Sequence, residues 1–389
     1  MMNKQKISMI SELIAKNELG AVIFFRPDEL VMTLGYRPYW GLSVEVCYEG
    51  NDPILYVPAL EPNLRLPKDI TVKRYPWGET SSDPFEILYG MIAEDIKKYG
   101  SNSKPISLVK TVGNTSPCIL SGEQPPLPTD FVDNLMKVSE AGYKDVEKEI
   151  LDLYNFKTRE DIEGIKLCNK VAGIGIKAFY DSMEAGLTEA EVSAKMEYAV
   201  RAEIGKDGVL YASGFAQVQS GINGADGGRF NWVTGKKLED GDLVMTEFAV
   251  VVNGYWADIT RTGKVGTPTK EDIRLHEAVK KAQDDALSLV REGAIAEDIH
   301  NAAQEALDKE GVGKYFTHGL GHGVGFRYHD PGIRIAKGNK EALKEGMVIT
   351  IEPGIYDSSF GGIRIEENVL VTKNGCEILS KFTRELKGD

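Results

Sequence analysis

Five side chains in the second half of the sequence are of types that bind metal ions: Glu247 and Asp258, then His322, then Glu352 and Glu366. Four carboxylates and one imidazole make an oxygen-rich set, which suits a pair of hard divalent cations better than a single tetrahedral zinc. The chemistry that such a set supports is metal-assisted hydrolysis.

The elements that must position these residues follow from local pattern. From Asp242 to Thr262 the sequence reads as two strands joined by Asn253-Gly254, a pair preferred in two-residue hairpin turns. In that register Val252 faces Tyr255, Ala249 faces Asp258 and Glu247 faces Thr260. Glu247 and Asp258 become diagonal neighbours on one face, with Cβ atoms about 7 Å apart. From there two carboxylates reach a pair of ions about 3.5–4 Å apart. Burying them with Phe248 and Val250 around them is costly without a cation. A solvated hairpin face is the competing reading of this segment taken alone, because acidic side chains are mostly exposed.

The segment from His318 to Gly332 holds His318, His322 and His329, three of the five histidines in the chain. Its glycines permit sharp turns and close approach of backbone to a ligand, so the spacing predicts a loop lining a site rather than a helix. Met347 to Ile351 predicts an apolar strand ending at Glu352, with Pro353 and Gly354 stopping the ladder. Further on, alternation puts Ile363 and Ile365 on one face and Arg364 and Glu366 on the other, where Arg364 can orient and neutralise a ligand carboxylate. His276 and His300 fall on helices expected at the surface and are assigned structural roles.

Five stretches, GDLVMTE, GYWADITRT, HGLGHGVG, IEPGIY and GGIRIEENVLVT, occur in this order. They resemble the ordered motifs of the pita-bread metalloenzymes of the M24 peptidase family, which includes methionine aminopeptidase, aminopeptidase P, prolidase and creatinase. The two-part layout resembles the aminopeptidase P, prolidase and creatinase branch. It implies an N-terminal α/β domain over residues 1–154 and an α+β, pita-bread catalytic domain over residues 155–389. By motif, the resemblance makes Glu247, Asp258, His322, Glu352 and Glu366 the ligands of two divalent ions, Mn, Co, Zn or Fe, with Asp258 and Glu366 bridging. It makes Glu352 also the group that orients or deprotonates the attacking water, and His318 and His329 the histidines that contact substrate and stabilise the developing oxyanion. Thr260 and Arg364 become supports of the ligands. The implied reaction is cleavage of an Xaa-Pro or related short-peptide bond by a hydroxide held between the metals.

Two positions depart from the family's pattern. Where metal-bound members carry aspartate the hairpin has Glu247, whose extra methylene moves the carboxylate by about 1.3 Å, more than the roughly 0.5 Å that a preorganised site tolerates. The loop from Ser220 to Trp232 lacks the histidine that acts on substrate or leaving group in this branch, leaving Arg229, Asn231 or Trp232 to fill that space. One alternative function keeps the fold and hydrolyses a small amidine or amide, as creatinase does, without requiring metal. Another is a noncatalytic relative that binds a partner. The retained His318, His322, His329, Glu352 and Glu366 oppose that one, because such groups are destabilising when buried without a ligand. Tyr36, Tyr39 and Trp40 are expected either to reach the site of a dimer partner, as that region does in the family, or to lie in the core.

At 389 residues the chain is long for one core and predicts two domains. A helix from Ile7 to Lys16 and strands at Ala21–Phe25 and Pro53–Val57 mark an α/β pattern. The Ser-, Pro-, Gly- and Thr-rich stretch 101–130 predicts loops and a domain edge. From Asn155 long helices follow, with Ile162, Ile165, Cys168 and Val171 on one face, a capping box at Thr188 and Glu191, and a helix pair over about 271–310. A formal charge of −13 opposes binding to nucleic acid or anionic membrane. No stretch approaches the roughly 18 apolar residues needed to span a bilayer, and the N-terminus does not read as a signal peptide. Four widely spaced cysteines read as buried, reduced thiols of a cytoplasmic protein. The expected partners are a small peptide or other small-molecule substrate and a second copy of the chain, in a homodimer.

Overall fold

Short apolar runs become strands buried on both faces, and longer amphipathic runs become the helices that cover them. The computed structural model describes residues 2–40, 42–63, 66–77, 83–100, 102–114, 118, 121–122, 129–229 and 232–387, without the side chains of 227–229. The chain divides into two compact units, Met1–Asp161 and Ile162–Asp389.

In the first unit β1 (Ala21–Phe24), β2 (Val44–Cys47), β3 (Ile54–Pro58), β4 (Thr71–Tyr75) and β5 (Ile106–Leu108) form one sheet in the order β4-β3-β2-β1-β5. It is mixed: β1 runs antiparallel to β2 and parallel to β5. Helix Lys4–Lys16 is capped by Asn3, whose side chain accepts from the Lys6 N–H, and buries Ile10, Leu13 and Ile14. Phe25, Val46, Tyr56, Leu88, Ile92 and Phe131 share the core. This is the expected α/β architecture, with one correction. β5 lies inside the stretch expected to be loop; three residues are too few to show a period, and their partner β1 is distant in sequence. The aromatic trio also divides, because Tyr36 is in the core whereas Tyr39 is 70% and Trp40 44% exposed.

The second unit is α+β. β6 (Ala212–Ser220), β7 (Leu243–Val252) and β8 (Tyr255–Lys264) form an antiparallel meander in that order. β9 (Gly321–Gly323), β10 (Asp330–Ile335), β11 (Val348–Ile351), β14 (Glu367–Thr372) and β15 (Gly375–Ile378) form a second sheet in the order β10-β9-β11-β14-β15, while β12 (Gly354–Asp357) pairs with β13 (Gly361–Arg364).

Strand alternation gives each sheet an apolar face and a polar face. Phe248, Val250, Ala257 and Ile259 pack on Val171, Phe179 and Met196 of helices Arg159–Tyr180 and Glu189–Arg201. Phe248 and Val250 therefore point away from the hairpin carboxylates and do not surround them as expected. In the same way Ile349, Ile351, Ile363 and Ile365 pack on Val279, Ala282, Ile299 and Ala303 of helices Lys270–Leu289 and Ala296–Lys309. The residues between them, Glu247, Asp258, Thr260, Thr350, Arg364 and Glu366, carry the polar chemistry. The Thr188–Glu191 capping box forms as expected and opens helix Glu189–Arg201. His276 and His300 are buried, not at the surface: each sits on the inward stripe of its helix. All four cysteines are unbonded thiols, with Cys47 and Cys168 buried and Cys118 and Cys376 half-buried. Among the described residues no helix is long and apolar enough to cross a membrane.

Candidate metal centre

The hairpin forms in the register that its turn dictates, with Val252 opposite Tyr255, Ala249 opposite Asp258 and Glu247 opposite Thr260. Asn253 and Gly254 both take positive φ, 54° and 104°, the geometry for which Asn-Gly is favoured. The Asn253 side chain pins the turn, accepting the N–H groups of Leu210 and Tyr211 at 2.8 and 3.1 Å and donating to the Gly208 carbonyl at 2.9 Å. The start of β14 docks against β8, since the Glu366 N–H donates to the Thr260 carbonyl at 3.1 Å. His322 sits on the short strand β9, so the glycine-rich segment is not wholly the loop expected. The Glu352 N–H donates to the Leu320 carbonyl at 2.8 Å, which holds the end of β11 beside that strand.

Four of the five expected ligands converge with open donor atoms. His322 Nε2 lies 3.4 Å from both Asp258 Oδ2 and Glu352 Oε1. Its other nitrogen, Nδ1, lies 2.9 Å from the Gly323 carbonyl and must carry the proton to donate there. The Nε2 lone pair therefore faces two carboxylate oxygens, an arrangement that a cation between them makes favourable. The separation matches ligand atoms each about 2.0–2.2 Å from one ion. Asp258 Oδ1 and Glu366 Oε1 are buried without a hydrogen-bond partner, which in a native site calls for an ion or water. Ligand atoms of His322, Glu352 and Glu366 lie within 4.8 Å of one another, as do those of Asp258, His322 and His329. Burial, with Glu247, Glu366 and Glu352 adding to it, pushes the Asp258 carboxyl well above its usual range. Burial and the charges of Glu352 and Glu247 do the same to Glu366. By its donor chemistry and its open oxygens, this quartet fits a divalent cation.

Glu247 is differently placed. Its Oε1 accepts the Tyr328 hydroxyl, and its Oε2 accepts from the Arg364 guanidinium and lies 2.6 Å from Thr260 Oγ1. Burial opposes its charge, but Arg364 and the hydrogen bonds overcome that and hold the carboxyl at about 2. The Thr260 hydroxyl also lies 2.8 Å from Glu366 Oε2 and accepts from Arg364 Nε at 2.8 Å. Arg364 continues outward: Nη1 donates to the Tyr356 hydroxyl at 2.8 Å, which lies 2.8 Å from His318 Nε2. His318 Nδ1 lies 2.7 Å from the Gly319 carbonyl, so Nδ1 carries the proton and Nε2 accepts from Tyr356. Burial first, and Arg364 second, lower His318 to about 4, which leaves it neutral at physiological pH. Both of its ring nitrogens are thus engaged within the protein. His329 packs beside His322, with ring centroids 4.5 Å apart and the rings tilted by 47°.

Three residues of this network were not singled out from sequence: Tyr328, Tyr356 and Thr350, which donates to Glu352 Oε1 at 3.3 Å. Tyr356 closes the IEPGIY stretch, and Tyr328 precedes His329; a buried phenol needs a partner, and that is the signal both carry. Among the residues proposed for the empty histidine position, the Arg229 side chain and Asn231 lie outside the described residues, and Trp232 is 73% exposed.

Two helix-backed sheets whose polar faces hold carboxylates around one imidazole define a metallohydrolase of the pita-bread class. The sequence profile of "Metallopeptidase family M24" matches residues 163–373. A protein named Xaa-Pro dipeptidase from Pyrococcus horikoshii is 31% identical over 387 residues, covering 98% of each chain. Among solved structures, the prolidase from Pyrococcus furiosus superposes with a TM-score of 0.77 at 30% identity, over 96% of this chain and 100% of that one. A recombinant prolidase from Thermococcus sibiricus gives 0.81 at 26% identity, over 100% of both. The chain belongs to metallopeptidase family M24, and is a peptidase-class hydrolase of a family that uses divalent metal.

Proposed function

We propose that this protein hydrolyses Xaa-Pro bonds in short peptides, using divalent metal held by Asp258, His322, Glu352 and Glu366. The observation that carries the reading is the inward convergence of these four side chains, two of them with buried oxygens that no hydrogen bond satisfies. Support for the substrate comes from the Pyrococcus horikoshii relative, named for Xaa-Pro dipeptides and aligned over nearly the whole chain. A divalent ion there supplies a water nucleophilic at neutral pH and a Lewis acid for the scissile carbonyl. Glu352, whose Oε1 lies beside His322 Nε2 at the ion's position, is placed to take a proton from the nucleophile and return it to the leaving nitrogen. Arg364 donates to Tyr356 and Tyr356 to His318, a fixed line that holds the rim of the site, and His329 presents its ring beside His322 to the substrate carbonyl. Mn, Co, Zn and Fe suit this mixed oxygen and nitrogen set. Two ions are the family expectation, and a second would need Glu247. A homodimer in a reducing, cytoplasmic setting completes the reading, and the unbonded thiols suit it.

The test is hydrolysis of Xaa-Pro dipeptides by protein purified without added metal. Activity should vanish with a chelator and return with Mn or Co. Hydrolysis indifferent to chelation, or confined to a small amidine, would overturn the proposal.

A further inference from the structure

We propose that the centre of this protein holds one divalent ion rather than two, because Tyr328 and Arg364 together tie down Glu247, the ligand that a second ion would need. The inference rests on the metal reading above and deepens it. Glu247, Asp258 and Glu366 offer ligand oxygens within 4.8 Å of one another, so the corner has the donors for an ion. Their states differ. Asp258 Oδ1 and Glu366 Oε1 are open, whereas each oxygen of Glu247 already has a partner. Oε2 already takes two donors, Thr260 and Arg364, so an ion could reach Glu247 only through the second lone pair of Oε1, shared with the buried Tyr328 hydroxyl and close to the Arg364 charge.

Two features of the sequence act together here. Glutamate is one methylene longer than aspartate, which carries its carboxylate to the Tyr328 hydroxyl. The Tyr328 ring is fully buried and stacks on Trp256, with centroids 6.3 Å apart, so the hydroxyl is held in place. Arg364 supplies, on a fixed side chain, positive charge that a second cation would otherwise bring. The phenol supplies the hydrogen bond. His322 Nε2 faces Asp258 Oδ2 and Glu352 Oε1, so the first ion's ligands do not depend on Glu247.

The test uses the full chain, stripped with chelator, dialysed and titrated with Mn(II), reading bound Mn per chain by elemental analysis and its electron paramagnetic resonance. One Mn per chain, with the hyperfine-split signal of an isolated ion, is expected. Two per chain with an exchange-coupled signal overturn the inference while leaving the metal reading intact. No bound Mn, together with chelator-insensitive hydrolysis, overturns both. In the double variant Glu247→Asp, Tyr328→Phe the shorter carboxylate loses its phenol, and the count should rise from one to two with coupling between the ions. A folded double variant that stays at one ion overturns the role given to the pair.

Discussion

Glu247 and Glu352 share a side chain type and a centre, and their surroundings drive their acidities apart. Arg364 holds the first at about 2, and burial raises the second to about 7. In the metal-free centre that difference separates a fixed charge from a carboxyl that can take up a proton. Glu352→Gln keeps shape and volume but removes the base, so kcat should fall roughly 10²- to 10⁴-fold, while the melting temperature of the chelator-stripped protein stays unchanged or rises, since one of several crowded carboxylates is gone. An unchanged kcat would remove Glu352 from the chemistry. A second buried carboxylate acts on stability instead. In the first unit Glu45 is raised by burial from 4.5 to about 8. The Thr33 hydroxyl contacts both Glu45 Oε2 and the Glu29 carbonyl, at 2.9 Å for the latter, and its single proton serves one of them. A protonated Glu45 completes the set by donating to Thr33. The folded state therefore binds more protons than the unfolded one between about pH 4.5 and 8, and stability, full below that window, is lost as pH rises through it. The slope is at most about 1.4 kcal/mol per pH unit. Glu45→Gln should flatten this dependence in urea unfolding of the first unit, and a slope unaltered by the substitution would refute the assignment.

The β7–β8 hairpin is the element on which both of its carboxylates depend, and its turn is the place to disturb it. Asn253→Ala removes three hydrogen bonds and puts alanine at a φ of 54°. With left-handed backbone costing about 1–2 kcal/mol and each hydrogen bond about 1 kcal/mol, a loss of roughly 4–5 kcal/mol is expected as a lower urea midpoint at constant m-value. A loss under about 0.5 kcal/mol, the scale of a plain surface substitution, would mean that the turn is held by the strands alone. This hairpin is legible in sequence because its signals are local: an Asn-Gly pair and alternation on either side. The same alternation correctly puts Arg364 and Glu366 opposite Ile363 and Ile365. What sequence does not reveal depends on distant partners. β5 is defined by pairing with β1, the inward burial of His276 and His300 by the sheet their helices cover, and the role of Tyr328 by a carboxylate far away along the chain. The misplacement of Phe248 and Val250 is of another kind, because residues adjacent to Glu247 and Ala249 in a strand must point to the opposite face.

At the scale of the whole molecule, the proposed ligands all fall in one of the two units: Asp258, His322, Glu352 and Glu366 lie in Ile162–Asp389, and none in Met1–Asp161. They also come from strands and strand ends scattered along that unit, so they are brought together only when it is folded, and an ion that binds them binds the folded form alone. Linkage then makes metal a selective stabiliser: at about a thousandfold excess over the dissociation constant the gain is about 4 kcal/mol. For a unit of this size that corresponds to a rise of roughly 10 °C in its melting temperature. The first unit has its own sheet and its own core, and its stability should not respond. Calorimetry of the chelator-stripped chain should resolve two transitions, of which added Mn(II) raises one. Fluorescence of Trp256, packed beside Tyr328 in the second unit, identifies which one it is in the Trp40→Phe, Trp77→Phe, Trp232→Phe variant. A shift of both transitions by the same amount would mean that the units unfold as one. No shift in the transition reported by Trp256 would mean that the open oxygens of Asp258 and Glu366 are satisfied by something other than metal.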